Sequence, residues 1–100
     1  MNPEQLYEKV KKTVDEANKI RVSRNKKIIE NLQLKKVNQK EFLITIDTPE
    51  SKHIFIKYLP QYTDQENITH KGKIIDIQNN INTNEENHEK YLIILKESLL

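Results

Sequence analysis

The feature that most constrains this chain is a change of hydrophobic period near Lys27. Before it, Leu6, Val10, Thr13, Val14 and Ala17 recur at three- and four-residue spacing with charged residues between them, the pattern of a helix with one apolar stripe. After it, Ile28, Leu32 and Leu34 alternate with polar residues, and so do Phe42, Ile44 and Ile46 beyond the polar segment VNQKE. One chain carrying both periods in succession is α+β, with the helix first.

Local signals place the ends. Asn2 suits an N-cap, Pro3 the first helical position and Glu4 the positive end of the macrodipole, so a helix is predicted from Pro3 to about Ile20. The two alternating runs read as an antiparallel hairpin turning near Asn38 to Lys40. Residues 49–59 carry both periods. Thr48, Pro49 and Glu50 resemble a helix start and Pro60 limits the end, which selects a short second helix from Pro49 to Leu59. Lys73 to Gln78 is expected to be a strand, preceded by Gly72 at a turn that wants positive φ. Residues 79–89, NNINTNEENHE, read as a mobile polar loop or a fraying helix start.

The end of the chain, YLIILKESLL, is divided as well. A capping-box pattern at Thr83 and Glu86 with Leu92, Leu95 and Leu99 favours a helix, but the apolar run Leu92 to Leu95 suggests burial on both faces and favours a strand. The expected architecture is a single domain, residues 1–100, with two helices on a mostly antiparallel sheet of three or four strands. Turning residues 51–59 into a strand gives the alternative, a five-stranded OB-like barrel behind an N-terminal helix.

Composition excludes more than it selects. Without cysteine there is neither a disulfide framework nor a thiolate metal site, and no apolar run approaches the length that spans a bilayer; a cytoplasmic protein without membrane attachment is the expectation. The single glycine rules out phosphate-cradling loops of the Walker and dinucleotide types, together with the GxxG loop of KH domains. His53, His70 and His88 stand at no metal-ligand spacing, Ser23, Ser51 and Ser98 lie in no nucleophile elbow, and Asp47 and Asp76 read as residues on exposed strand faces. Neither a cofactor nor a reaction is indicated, so a non-enzymatic protein is expected.

What remains is charge. Residues 1–40 hold eleven Lys and Arg against five acids, whereas residues 41–100 hold six against ten. The basic end is concentrated in NKIRVSRNKKIIENLQLKK, where Lys19, Arg21, Arg24, Lys26, Lys27, Lys35 and Lys36 face one acid, Glu30. If the helix end and the hairpin share a face, these side chains form a phosphate-binding surface for DNA or RNA, with Tyr58 and Tyr62 as stacking platforms and Phe42 and Phe55 left to fill the core. With only Arg21 and Arg24 offering a guanidinium fork, backbone recognition is expected before base readout. The competing expectation is a protein-interaction module, of the kind mobile elements encode as inhibitors. It would bind a partner or a second copy through an edge strand or the first helix.

Overall fold

The computed structural model describes residues 2–100 and has the α+β architecture read from the sequence, with an N-terminal helix and an open sheet instead of a closed barrel. Helix α1 (Pro3–Ser23) begins with a capping box: the Asn2 side chain accepts from Gln5 N–H while the Gln5 side chain accepts from Asn2 N–H. It ends because Asn25 takes a left-handed conformation, φ 58°, which lets Lys26 N–H reach the Arg21 carbonyl and Asn25 N–H the Val22 carbonyl. This is a Schellman closure with Asn in the position that glycine usually fills.

Strands β1 (Asn31–Asn38) and β2 (Glu41–Asp47) form the expected hairpin, with a register shift between Lys36 and Asn38 next to the turn. Its start is pinned by Asn18 of α1, whose side-chain amide both donates to the Ile29 carbonyl and accepts from Ile29 N–H. Ile29 is therefore the buried residue of that segment, and Ile28, expected to point inwards, is exposed.

The predicted helix over 49–59 is instead strand β3 (His53–Leu59), antiparallel to β2. Pro49 and Glu50 do start a turn, but a β-turn. Ser51 N–H bonds the Thr48 carbonyl, Ser51 lies at φ 64°, and Thr48 Oγ1 accepts from Lys52 N–H. A proline ring locked near φ −65° suits the second residue of a type I turn as well as the first turn of a helix, so the local signal cannot separate them. The alternation Ile54, Ile56, Tyr58 decides the matter, because those three side chains are buried against the helices.

A two-stranded ribbon, β4 (Tyr62–Thr63) and β5 (Thr69–His70), precedes β6 (Lys73–Asp76), which pairs with β3. Segment 79–89, expected as a loop, carries β7 (Ile81–Asn84) and a 3-10 helix (Glu85–Asn87). The last element, expected as a strand, is helix α2 (His88–Leu99). Its buried residues His88, Tyr91, Leu95 and Leu99 follow helical spacing, while Ile93, 62% exposed, and Ile94 face outwards; the apolar run is buried on one side only.

The main sheet has five strands in the order β1-β2-β3-β6-β7, one more than the upper end of the expected range. Both helices cover one face. Leu6, Val10, Val14 and Ala17 of α1 and Tyr91, Leu95 and Leu99 of α2 form one core with Ile44, Ile46, Ile54, Ile56, Tyr58 and Ile74. Gly72 does not have the positive φ expected of it. It is needed for space: a Cβ there would lie 3.1 Å from Tyr58 Oη and 3.4 Å from the Leu59 carbonyl.

Candidate nucleic-acid interface

The basic run is divided by the fold. Lys19 and Arg24 are exposed at the end of α1, with Lys26 and Lys27 just beyond; Lys26 Nζ donates to the Leu100 carbonyl at 2.7 Å. Lys35 and Lys36 lie in the second half of β1, separated from Lys27 by residues 28–30 and by the four strand residues 31–34, which span roughly 13 Å at about 3.3 Å each. Lys35 points to one face of the sheet. Lys36, next along the strand, points to the other.

Arg21 leaves the set altogether. Its side chain is 2% exposed and donates to the Lys27 carbonyl (2.8 Å), the Leu99 carbonyl (2.9 Å) and the Glu50 carboxylate. The guanidinium thus ties α1 to the loop that follows it, to the β2–β3 turn and to the end of α2. Its hydrogen bond, more than its charge, lowers the Glu50 carboxyl below the usual range.

Tyr58 is also unavailable to a ligand. It is 1% exposed, and its ring lies edge-on to that of His88, centroids 6.1 Å apart. His88, expected in an exposed loop, is buried, and neither ring nitrogen has a hydrogen-bond partner among the described residues; burial holds its pKa below the ordinary histidine value. Asp76, expected on an exposed face, is wholly buried. It accepts from Tyr91 Oη (2.8 Å), Asn79 N–H (3.0 Å) and Asn79 Nδ2 (2.9 Å), and burial followed by the Asp76 charge raises the Tyr91 pKa.

Tyr62 is exposed, at the outer end of the sheet, where residues 35–40 and most of 61–71 are in solvent. Its ring is already engaged: it stacks on His70 at 4.6 Å, and Lys40 Nζ lies 4.7 Å from its centroid. His70 Nε2 in turn meets Asp64 Oδ2 at 2.8 Å, and that contact, with the N–H groups of Ile68 and Glu66, keeps the Asp64 carboxyl low.

The sheet face turned away from the helices is a different surface, one that the basic run did not announce. Strand alternation and the registers place Gln33, Thr45 and Phe55 in one row across it, and Lys35, Leu43, Lys57, Ile75 and Asn82 in the next. Leu59 and Lys73 follow in a third. Phe55, assigned to the core from sequence, is 40% exposed on the central strand. Lys57 pairs with Glu41 at 3.0 Å, and Asp47 is matched by His53 at one end. Lys35 and Lys73 have no ion pair among the described residues. The signal for this face was present in the odd-numbered positions of 33–35, 43–45, 53–59 and 73–75, but it becomes legible only once β3 is known to be a strand.

Among the described residues, no group of three His, Asp or Glu side chains converges to hold a metal ion, and no helix is long and apolar enough to cross a membrane. Comparison with protein-family models, curated proteins and solved structures finds no match.

Proposed function

We propose that the protein binds single-stranded nucleic acid across the open face of its sheet, without catalysing a reaction. The observation that carries this reading is Phe55, an exposed aromatic in the middle of an uncovered antiparallel sheet, next to a row that holds Lys35 and Lys57. An uncovered sheet can take unstacked bases against an aromatic ring while neighbouring lysines meet the phosphates. Gln33, Thr45 and Asn82 supply neutral donors and acceptors at base height. The surface differs from the helix-end and hairpin face read from the sequence, because Arg21 is buried and Lys35 and Lys36 turn to opposite faces of β1.

Lys35, Lys57 and Lys73 provide two or three phosphate contacts. At about 0.7 counterions released per contact on a single strand, affinity should fall by about seven- to twenty-fold between roughly 50 and 200 mM salt. Phe55→Ala should weaken binding by about five-fold or more, the lower end of what one base stack supplies. Fluorescence anisotropy with single-stranded DNA, single-stranded RNA and a duplex of matched length tests the proposal. Failure of all three to bind at low salt, or a duplex preference that Phe55→Ala leaves unchanged, overturns it.

A further inference from the structure

We propose that two copies of this chain associate through their β1 edges, in a single register centred on Gln33, to make one continuous ten-stranded sheet. β1 is an outer strand of the five, and it is longer than β7 at the opposite edge. Its unpaired backbone groups can be assigned from the ladder. Ile77 N–H bonds the Phe55 carbonyl, so the polar groups of Phe55 face β6; Thr48 N–H bonds the Lys52 carbonyl, so the even positions of β2 face β3. In an antiparallel sheet the direction alternates from residue to residue, which turns Thr45 towards β1 and Gln33 towards β2. The N–H and C=O groups of Leu32 and Leu34 are then the ones aimed outwards from the edge.

A second copy meeting this edge around a two-fold axis through Gln33 sets Leu32 opposite the other copy's Leu34, and Leu34 opposite its Leu32. Each is a hydrogen-bonded pair that uses those outward groups. Both leucines are only half-buried in the single chain, although they pack against the core, and the second copy would cover them. Two residues further out, Glu30 meets Lys36 of the other copy, and the reciprocal pair forms on the far side of the axis. Glu30 is the one acid in the basic run from Asn18 to Lys36, and here it stands opposite a lysine. Shifting the register by two residues either way breaks both pairs, setting Glu30 against Leu34 or Asn38; the charges therefore select one alignment. Lysines on an edge strand ordinarily discourage pairing, and Lys36 would do so in every alignment that lacks Glu30.

The inference stands apart from nucleic-acid binding and is tested without it. At the axis the two Gln33 residues form a non-hydrogen-bonded pair with Cα atoms about 4.5 Å apart, within disulfide range, whereas two residues at position 31 would be about 13 Å apart. The chain has no cysteine to confuse the result. Gln33→Cys should therefore cross-link to itself under mild oxidation, and Asn31→Cys should not. In sedimentation velocity across a concentration series the unmodified chain should form a dimer. Lys36→Glu, at an exposed position, should weaken it about tenfold by turning two attractive cross-strand pairs into repulsive ones, and the exchange Glu30→Lys with Lys36→Glu should restore it. A chain that stays monomeric at every concentration overturns the proposal. So does a dimer that Lys36→Glu leaves intact, or one in which position 31 cross-links as readily as position 33.

Discussion

Removing the Tyr91 hydroxyl tests how the uncovered sheet is held in place. Tyr91 is fully buried on α2, and its Oη donates to the wholly buried Asp76 carboxylate on β6 at 2.8 Å. Asp76 has two other donors, both from Asn79 in the turn that leads to β7, and no salt-bridge cation among the described residues. Tyr91→Phe keeps the ring and its packing and deletes one donor. A hydrogen bond to a charged group contributes roughly 1.5–3 kcal/mol, and Asp76 is wholly buried away from bulk solvent, which places the cost at about 2 kcal/mol or above. For a domain of this size each kcal/mol lowers the melting temperature by about 4–8 °C, so a fall of about 10 °C is expected. Urea titration monitored by circular dichroism at neutral pH gives the free energy directly. Combining Tyr91→Phe with Asp76→Asn in a double-mutant cycle isolates the pair, since the double variant should cost clearly less than the sum of the two single ones. A Tyr91→Phe protein within about 0.5 kcal/mol of the parent, or strict additivity in the cycle, would refute the reasoning.

Other parts of the fold respond in their own ways. His88 is held neutral by burial, with its folded pKa below the unfolded value near 6.5; its contribution is complete above about pH 6.5 and is lost as pH falls from there towards the folded value. Stability measured at about pH 7.5 and 5.5 should therefore drop in the parent and drop less in His88→Phe. Arg21→Met leaves the Lys27 and Leu99 carbonyls without their donor and should cost roughly 2–4 kcal/mol in urea unfolding, with Arg21→Lys recovering only part because an ammonium cannot reach three partners in fork geometry. Gly72→Ala should destabilise by about 1 kcal/mol, through crowding against Tyr58 Oη and not through backbone strain; Tyr58→Phe in the same chain should reduce that cost.

The chain's own pattern determined the first helix, from the Asn2 cap to the end of the apolar stripe, and the β1–β2 hairpin with its turn, because in both the hydrophobic period and the punctuating residues agree. It also determined the α+β class. Where a segment carries two periods, the outcome depended on what lay opposite it. His53–Leu59 became a strand because β2 and β6 lie on either side of it, and the Thr48-Pro49-Glu50 signal serves a turn as readily as a helix start. His88–Leu99 became a helix because the core accepts one stripe, Tyr91, Leu95 and Leu99, and leaves Ile93 outside. The candidate surface moved for the same reason. A count of cations along the chain cannot foresee that Arg21 will be drawn inside by two carbonyls and a carboxylate, or that Asp76 will be buried under Tyr91. Nor can it foresee that Phe55 will be exposed, since the side of a strand that meets solvent is set by where the helices pack, and the helices cover only one face of this sheet.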